Sequence, residues 1–319
     1  MQFDFLDFHG HFWTIAPWLR HAVRPSPAPP SSPFTVRIED PHTGLVRLHG
    51  RIRHAPNAKT LLVAVHGLGG NAESYYVVNA ARAAEEAGIS CLRINMRGAG
   101  GGGVDYYHAG LFSDLHASLS SPELDRYEKI ILIGYSLGGH VSLRYAASGN
   151  VDPRVRAISA ICPPLDLDAG AAEIDKPERW VYRRYLLEGL KQVYADVAAR
   201  RSVPVPVHEA RAIRTLRAWD SRIIAPRYGF RSAEHYYAEE SAARHLQNVA
   251  VPALLVAAEA DPMVLAHTLR PALENAPPSM DVKWLKLGGH VGFPTSAQIG
   301  PGATTKGLER QVIDWLSAK

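Results

Sequence analysis

A serine flanked by glycines follows an apolar run in the middle of the chain. Residues 130–140 read IILIGYSLGGH, and residues 134–138 match the pattern Gly-x-Ser-x-Gly. In that pattern the serine lies on a sharp turn from a strand to a helix, which lifts its hydroxyl clear of the sheet. The N-terminus of the following helix stabilises developing negative charge. Ser136 is therefore the candidate nucleophile, and a glycine-rich turn with an incidental serine is the alternative.

A serine hydroxyl needs a base that takes its proton and an acid that orients the base. After a strand–serine–helix turn, the expected chain order is serine, acid, histidine. His290 lies in the loop GGHVGF (288–293) after a predicted strand, and Asp261 follows an apolar run at 254–258. Active-site groups of parallel sheets lie at the carboxyl ends of strands. The sequence therefore predicts Asp261 as the acid and His290 as the base.

Three other carboxylates also lie near predicted strand ends. Asp166 and Asp168 follow the preceding strand, and Glu259 is two residues from Asp261. Because some enzymes of this architecture carry the acid one strand earlier, Asp166 is the main alternative.

An acyl-transfer site also needs N–H donors for the negatively charged oxygen of its intermediate. The amide of Leu137, directly after the serine, can supply one donor. The loop HGLGG at 66–70 follows an apolar run and can present the amide of Leu68 as the second. His66 in this loop is expected to form structural hydrogen bonds rather than to act as a base.

Alternating predicted strands and helices surround these residues. Apolar runs indicate strands at 46–48, 61–65, 89–94, 130–133, 155–161, 253–257 and 282–287. Helical spacing occurs at 75–87, 107–119, 137–146, 264–273 and 308–316. This alternation predicts an α/β fold with a mostly parallel, doubly wound sheet. Residues 1–23 are predicted to be irregular, and a proline- and serine-rich segment follows at 25–33.

The alternation is interrupted between residues 165 and 245, where helical spacing continues without strands. We interpret this segment as a helical cap inserted into the core. The predicted division is a first core part at 1–164 (with an N-terminal extension at 1–33), the cap at 165–245, and a second core part at 246–319. Apolar cap residues are expected to pack the cap onto the core, and some to line an acyl pocket: Trp180, Tyr185, Leu186, Leu190 and Trp219.

Composition and charge restrict the classes of function. The 319 residues carry a formal charge of +4, with dispersed basic residues. The densest basic group, at 211–222, is expected to be a solvated helix face, so no nucleic-acid partner is predicted. Two cysteines in apolar runs, an acidic N-terminus and the lack of a membrane-spanning apolar stretch favour a cytoplasmic protein. The oligomeric state stays open.

A second glycine pattern matches the one found in dinucleotide-binding sites. Residues 98–103, GAGGGG, satisfy Gly-x-Gly-x-x-Gly after a predicted strand. No predicted helix opens directly from this loop, and no ribose-binding acid is evident, so dinucleotide binding is not predicted. The sequence also lacks a P-loop lysine and the usual zinc-ligand spacings. Neither a cofactor nor a metal is predicted.

Several segments together resemble the YheT-like branch of the α/β-hydrolase superfamily. They are HGLGG with Ser-Tyr (66–70, 74–75), NMRG (95–98), YHAG (107–110), GYSLGG (134–139), ADP (260–262) and GGHVGF (288–293). Residues 11–14 are similar to an N-terminal element of that branch, and parts of 219–230 to its cap. The four consecutive glycines at 100–103 depart from the sequence pattern of that branch. The branch contains esterases, lipases and medium-chain alcohol acyltransferases. The resemblance implies the α/β-hydrolase fold, no cofactor, and Ser136, Asp261 and His290 as nucleophile, acid and base.

Three functions are compatible with these observations. The favoured one is a serine carboxylesterase or lipase that cleaves small-molecule esters of short to medium acyl chains through an acyl-enzyme. The first alternative is an acyltransferase, because an alcohol can compete with water for the same intermediate. The second is a binding protein that retained the fold, which the complete set of three catalytic residue types disfavours.

Overall fold

Eight strands form one sheet at the centre of the protein. They are β1 (Ser32–Asp40), β2 (Gly44–Arg53), β3 (Thr60–Val65), β4 (Ser90–Asn95), β5 (Lys129–Tyr135), β6 (Val155–Ile161), β7 (Ala253–Ala258) and β8 (Met280–Leu285). Their order is β1-β2-β4-β3-β5-β6-β7-β8. The pairs β1–β2 and β2–β4 are antiparallel, and all other pairs are parallel. The prediction of a mostly parallel sheet in an α/β fold is confirmed.

The structure is a computed structural model that describes residues 5–41, 43–300 and 305–319, with side chains from Phe8 onward. Its α-helices are α1 (Phe5–Val23), α2 (Tyr75–Glu86), α3 (Ser113–Leu119), α4 (Leu137–Ala146), α5 (Leu167–Ile174), α6 (Trp180–Ala198), α7 (Val207–Ala212), α8 (Leu216–Trp219), α9 (Ala225–Tyr228), α10 (Ala233–Glu240), α11 (Ala266–Leu273) and α12 (Leu308–Ser317). Among the helices in these ranges, none is both long and apolar enough to cross a bilayer.

Apolar side chains are buried on both faces of the sheet. Successive residues of β3 point to opposite faces, so Leu61 and Val63 join one hydrophobic cluster, while Leu62 and Ala64 join the other. The second cluster also contains the buried faces of α2 and α12. A strand buried on both faces is apolar throughout, which explains why the inner strands are recognisable as continuous apolar runs.

The N-terminal segment differs from its prediction, because Phe5–Val23 is a helix and not irregular chain. Gly10 and Pro17 lie inside it, and both residue types are unfavourable in helix interiors. The close packing of this helix explains Gly10: a Cβ there would lie 1.8 Å from the carbonyl oxygen of Ala260. Tertiary contacts thus stabilise a helix that local propensity does not favour.

Two other segments also differ from their predictions. The predicted helix at 107–119 begins only at Ser113. Before it, the amide of Ala109 donates to the Tyr236 hydroxyl, and the amide of Gly110 donates to His108 Nδ1. These amides therefore bind side chains instead of helical carbonyls. Strand β1 was not predicted; it includes Pro33, which an edge strand tolerates.

Helices α5 to α10 lie between β6 and β7, where the sequence predicts a cap. Of the apolar residues expected to pack there, Leu186, Leu190 and Trp219 are buried, whereas Trp180 and Tyr185 are exposed. The domain division at residues 164 and 245 stays a prediction.

Candidate active site

Ser136 lies between β5 and α4 in a strained backbone conformation. Its φ is 52° and its ψ is −121°, values that a residue with a side chain rarely adopts. The flanking glycines make this turn sterically feasible. A Cβ on Gly134 would lie 2.3 Å from the Gly138 carbonyl oxygen, and one on Gly138 would lie 2.3 Å from the Val65 carbonyl oxygen. The Gly-x-Ser-x-Gly spacing is thus a steric requirement of this turn.

Ser136, His290 and Asp261 form one hydrogen-bonded chain. The Ser136 Oγ lies 2.9 Å from His290 Nε2, and His290 Nδ1 lies 2.9 Å from Asp261 Oδ2. The other carboxylate oxygen, Oδ1, accepts the amides of Met263 and Val264 at 2.8 and 2.9 Å. With Nδ1–H donated to the carboxylate, Nε2 is free to accept the serine proton. The arrangement can therefore generate a nucleophilic alkoxide at Ser136.

The parallel strands explain why residues far apart in sequence meet here. Ser136 directly follows β5, Asp261 follows β7, and His290 follows β8. Carboxyl ends of parallel strands lie at one edge of the sheet, so the three side chains converge there.

The alternative acids make other contacts. Asp166 is the N-cap of α5 and accepts the amide of Ala169 at 3.0 Å. Asp168 pairs with Arg217. Of the four candidate acids, only Asp261 forms a hydrogen bond with His290 among the residues that the structure describes.

The loop at 66–70 lies beside the serine, since a Cβ on Gly67 would lie 3.0 Å from the Ser136 Cβ. The neighbours of the Leu68 amide are already paired: the amide of Gly67 donates to the Tyr76 hydroxyl, and that of Gly69 donates to the Tyr107 hydroxyl. Leu68 and Ser136 line the same cavities. Leu137 is the first residue of α4, where backbone N–H groups have no helical partner. Both predicted oxyanion donors therefore belong to segments that adjoin Ser136, and their role stays a prediction.

His66 has a structural position. Its Nε2 accepts the amide of Met96 at 3.0 Å, so Nδ1 carries the proton and donates to the Gly67 carbonyl at 2.8 Å. Burial lowers the pKa of His66 to about 4, which keeps the ring neutral. These bonds fix the loop that carries Leu68.

Comparison with known proteins agrees with this fold. The sequence model described as "Alpha/beta hydrolase family" matches residues 62–298. The chain is 30% identical to "Putative esterase YheT" of Escherichia coli (strain K12), over 98% of this chain and 93% of that protein. The chain belongs to the α/β-hydrolase family. The resemblance to its YheT-like branch is confirmed, and relatives named esterase, lipase and phospholipase support assignment as a hydrolase.

More distant relatives share less of their length with this hydrolase. "Phospholipase ABHD3" of Mus musculus is 22% identical over 74% of this chain and 59% of its own length. "Monoacylglycerol lipase" of Saccharomyces cerevisiae is 22% identical over 75% of this chain and 56% of its own. The chain thus spans about three fifths of such relatives. The Pyrococcus furiosus esterase Pf2001 shares the fold, with a TM-score of 0.55 at 15% identity, covering 91% of this chain and 90% of that one.

Helix α1 contacts the loop that carries His290, a feature the sequence did not reveal. The Thr14 hydroxyl accepts the backbone N–H of His290 at 2.8 Å and donates to the Gly10 carbonyl at 2.8 Å. The available signal was the resemblance of residues 11–14 to an N-terminal family element, to which no role was attached. Thr14 is thus a positioning residue for the candidate base.

Replacing Thr14 by valine is expected to lower kcat on a p-nitrophenyl ester by up to about a hundredfold, with a smaller change in KM. Valine keeps the shape but cannot accept the His290 amide, so the ring can shift from Ser136. Steady-state kinetics would measure the effect, and Thr14→Ser should restore most of the activity.

Thr268→Val is the matched control for this prediction. The Thr268 hydroxyl also donates to a backbone carbonyl, that of Leu265 at 2.8 Å, but contacts no catalytic candidate. If both valine variants lowered kcat equally, or if serine failed to rescue position 14, Thr14 would have only a general structural role.

Two cavities meet at Ser136 and His290. Both also include Leu68, Leu186 and Met263 in their walls. The inner cavity extends beneath α5, α6 and α8 and is lined mainly by apolar side chains, namely Leu137, Leu167, Ala171, Ile174, Leu190 and Trp219. The outer cavity lies between α1 and α6 and is lined by Ile15, Trp18, Tyr76, Val181, Tyr185 and Val291. A substrate with two apolar arms could therefore place its reacting centre at Ser136.

A few polar groups interrupt the apolar wall of the inner cavity. Asp220 accepts the Tyr237 hydroxyl at 2.6 Å, and burial raises the pKa of this carboxyl to about 7. Asp220 begins a π-helical turn, Asp220–Ile224, a local irregularity that is frequent at functional sites. His108 also lines the cavity, and burial lowers its pKa to about 3. The imidazole of His108 is therefore neutral at neutral pH, and burial makes the Asp220 carboxyl a weaker acid than an ordinary aspartate.

Cys162 lies against Asp261 and His290. Within the described part of the chain, these three form the one group whose potential metal-binding atoms lie within 4.8 Å of one another. Asp261 and His290 are already bonded to each other, and burial raises the pKa of the Cys162 thiol well above its usual range. A thiol must be deprotonated to bind a metal. The donor set therefore does not fit a metal centre.

The glycine run at 98–103 forms a loop after β4 with positive φ at Gly98, Gly100, Gly101 and Gly102. The next helix along the chain begins at Ser113. Arg97, directly before the run, is instead paired with Asp40, Asp105 and Asp114. The loop thus lacks the helix N-terminus that holds a pyrophosphate in dinucleotide-binding proteins.

Proposed function

We propose that this hydrolase cleaves carboxylic esters of short to medium acyl chains through a serine-bound acyl-enzyme. Ser136 is the nucleophile, His290 the base, Asp261 the acid, and the amides of Leu68 and Leu137 form the oxyanion hole. The observation that carries the proposal is the hydrogen-bonded chain Ser136–His290–Asp261 at the junction of two apolar cavities. Relatives named esterase, monoacylglycerol lipase and phospholipase support an acyl ester as the substrate.

The first half of the reaction acylates the serine. Ser136 Oγ attacks the ester carbonyl as its proton moves to His290 Nε2, and the carbonyl oxygen becomes an oxyanion held by the two amides. The C–O bond to the alcohol then breaks, and His290 returns its proton to the leaving oxygen. Asp261 stabilises the imidazolium that exists between these steps.

The second half releases the acid. Water gives a proton to His290 Nε2 and attacks the acyl carbonyl, and the bond to Ser136 Oγ breaks as the serine recovers the proton. The inner cavity is the proposed acyl pocket, because helices between β6 and β7 form much of its wall and aliphatic side chains line it. In this proposal residues 165–245 act as the cap.

Transfer to an alcohol is a second candidate. The outer cavity offers apolar walls next to His290, where an alcohol could replace water as the attacking group. The same residues would then deprotonate the alcohol, and the product would be a new ester instead of an acid.

A panel of p-nitrophenyl esters graded by acyl length tests the proposal. We expect kcat/KM to increase from acetyl to a short or medium chain, by up to about fourfold per methylene that the pocket buries, and then to fall. Highest efficiency on acetyl esters would contradict an apolar acyl pocket. Added alcohol should raise the yield of transferred ester only if the outer cavity binds an acceptor.

The variant Ala171→Phe should move this optimum to shorter chains, because Ala171 is buried and lines the inner cavity. Ala172→Phe is the matched control, since Ala172 is exposed on the same helix. An identical chain-length profile for Ala171→Phe and the unmodified protein would place the acyl chain elsewhere.

A further inference from the structure

The exposed large apolar side chains of this protein are concentrated on two helices. Of the eleven such residues in the described ranges, nine lie on α1 and at the start of α6. We call these nine the apolar patch: Phe8, Phe12, Ile15, Trp18, Leu19, Val23, Trp180, Val181 and Tyr185. The other two are Leu45 and Leu287. Scattered exposed apolar residues are ordinary, whereas a concentration of this kind marks an interaction site.

Helix α1 exposes its apolar face to solvent. Phe8, Phe12, Ile15, Leu19 and Val23 follow one another at intervals of three or four residues, so they form a single stripe along the helix. All five are exposed, up to 78% for Val23. The opposite side of α1, which contains Gly10, Trp13, Thr14, Pro17 and His21, packs on the protein. A surface helix of a globular protein normally has the reverse orientation.

The two halves of the apolar patch are continuous and surround the outer cavity. The rings of Trp18 and Tyr185 lie 5.9 Å apart in an edge-to-face arrangement. Ile15, Trp18, Val181 and Tyr185 also line the outer cavity, which reaches Ser136. These four residues of the apolar patch therefore form part of the rim of the opening through which an apolar molecule reaches the serine, and the other five lie outside the cavity wall.

The charged residues at the end of α1 are basic. Asp7 lies in the first turn of the helix, but residues 8–38 contain no aspartate or glutamate, and Arg20 and Arg24 lie at the helix end. Exposed aromatic residues together with arginine are typical of helices that lie in a membrane interface and bind anionic lipids.

We propose that the apolar patch docks this protein onto an anionic lipid surface, from which an acyl ester passes directly into the outer cavity. A second protein copy or another partner on the apolar patch would cover the opening of the cavity. A lipid layer would instead bury the same side chains and supply the substrate. The route of the substrate depends on the proposed esterase function, but docking itself does not.

Vesicle binding tests docking without turnover. Sedimentation with vesicles of phosphatidylcholine mixed with phosphatidylglycerol should recover the unmodified protein and Ser136→Ala equally. The double variant Phe12→Glu with Leu19→Glu should bind at least about tenfold more weakly, because it places charge at the centre of the stripe. Vesicles of phosphatidylcholine alone should bind the unmodified protein less than the anionic mixture does.

Leu45→Glu is the matched control. Leu45 is as exposed as Leu19, at about half of its maximum, but lies at the start of β2, outside the apolar patch. Circular dichroism and thermal unfolding should show that all variants fold, and the double variant and Leu45→Glu should both hydrolyse a soluble short-chain ester at the unmodified rate. Loss of vesicle binding with this rate retained supports docking.

Three results would overturn the proposal. The first is that the unmodified protein does not bind vesicles of either composition. The second is equal binding by the double variant and Leu45→Glu. The third is a dimer in sedimentation velocity that Phe12→Glu with Leu19→Glu dissociates, since the apolar patch would then be a contact between two copies. Failure of ester hydrolysis with vesicle binding intact would contradict the proposed function and leave docking supported.

Discussion

Ser136→Ala should lower kcat on a p-nitrophenyl ester by about a millionfold, the loss found when the nucleophile of a serine–histidine–acid triad is removed. The effect is large because no other hydroxyl lies within hydrogen-bond distance of His290 Nε2 among the described residues. Alanine keeps the Cβ that the turn already accommodates, so the fold should persist. Pre-steady-state kinetics of the purified variant would measure the loss of turnover, and thermal unfolding would show that the fold persists.

Ser142→Ala provides the control on the same helix. The Ser142 hydroxyl is buried and donates to the Gly138 carbonyl at 2.8 Å, with no contact to the candidate base. Its loss should cost about 1 kcal/mol of unfolding free energy and leave kcat unchanged. A tenth of the normal rate in Ser136→Ala would be enough to reject the serine as nucleophile.

The candidate site was predictable where one local geometry dictates the residue types. The close contacts of Gly134 and Gly138 leave few sequences that can form the turn around Ser136, so the five-residue pattern carries most of the information. The strands were predictable for a similar reason, because burial on both faces requires an unbroken apolar run, as in β3. Chain order then indicated Asp261 and His290.

Helix α1 was not predictable, because its stability comes from contacts with distant residues. Gly10 packs on Ala260, and Gly289 packs on α1 so closely that a Cβ would lie 2.2 Å from the Gly10 carbonyl oxygen. Neither contact leaves a periodic signal in residues 5–23. The apolar stripe from Phe8 to Val23 does have helical spacing, but Gly10 and Pro17 inside the segment disfavour a helix and obscure that signal.

The first part of the helix expected at 107–119, which is not helical before Ser113, illustrates the same limitation. Helical spacing is present, but the amide of Gly110 donates to the nearby His108 side chain and the amide of Ala109 donates to the Tyr236 hydroxyl. One of these partners, Tyr236, comes from α10, more than a hundred residues later. Only the folded arrangement of the helices between β6 and β7 shows that the Tyr236 hydroxyl competes with a helical carbonyl for the amide of Ala109.

The choice between two acids gives the other large prediction. Asp261→Asn should lower kcat by about ten-thousandfold, as in the serine-protease triad, whereas Asp166→Asn should leave kcat unchanged. Both variants remove one negative charge near the same edge of the sheet. Steady-state kinetics on one ester, with both proteins at one pH, would compare them directly.

The hydrogen bonds of Asp261 explain why an amide there should be so damaging. Oδ1 accepts the backbone N–H groups of Met263 and Val264, so the oxygen of an asparagine must occupy that position. Its NH₂ group then faces His290 Nδ1. Because the NH₂ group donates a hydrogen bond, Nδ1 must accept it, and the imidazole proton is then on Nε2. A protonated Nε2 cannot take the proton of Ser136, although the geometry of the site is otherwise preserved.

Asp166→Asn should be nearly silent for an equally specific reason. Asp166 caps α5 by accepting the amide of Ala169, and asparagine caps a helix about as well as aspartate. Neither helix stability nor His290 should therefore change. A larger loss of kcat at position 166 than at position 261 would mean that the working acid lies one strand earlier than the hydrogen bond to His290 indicates.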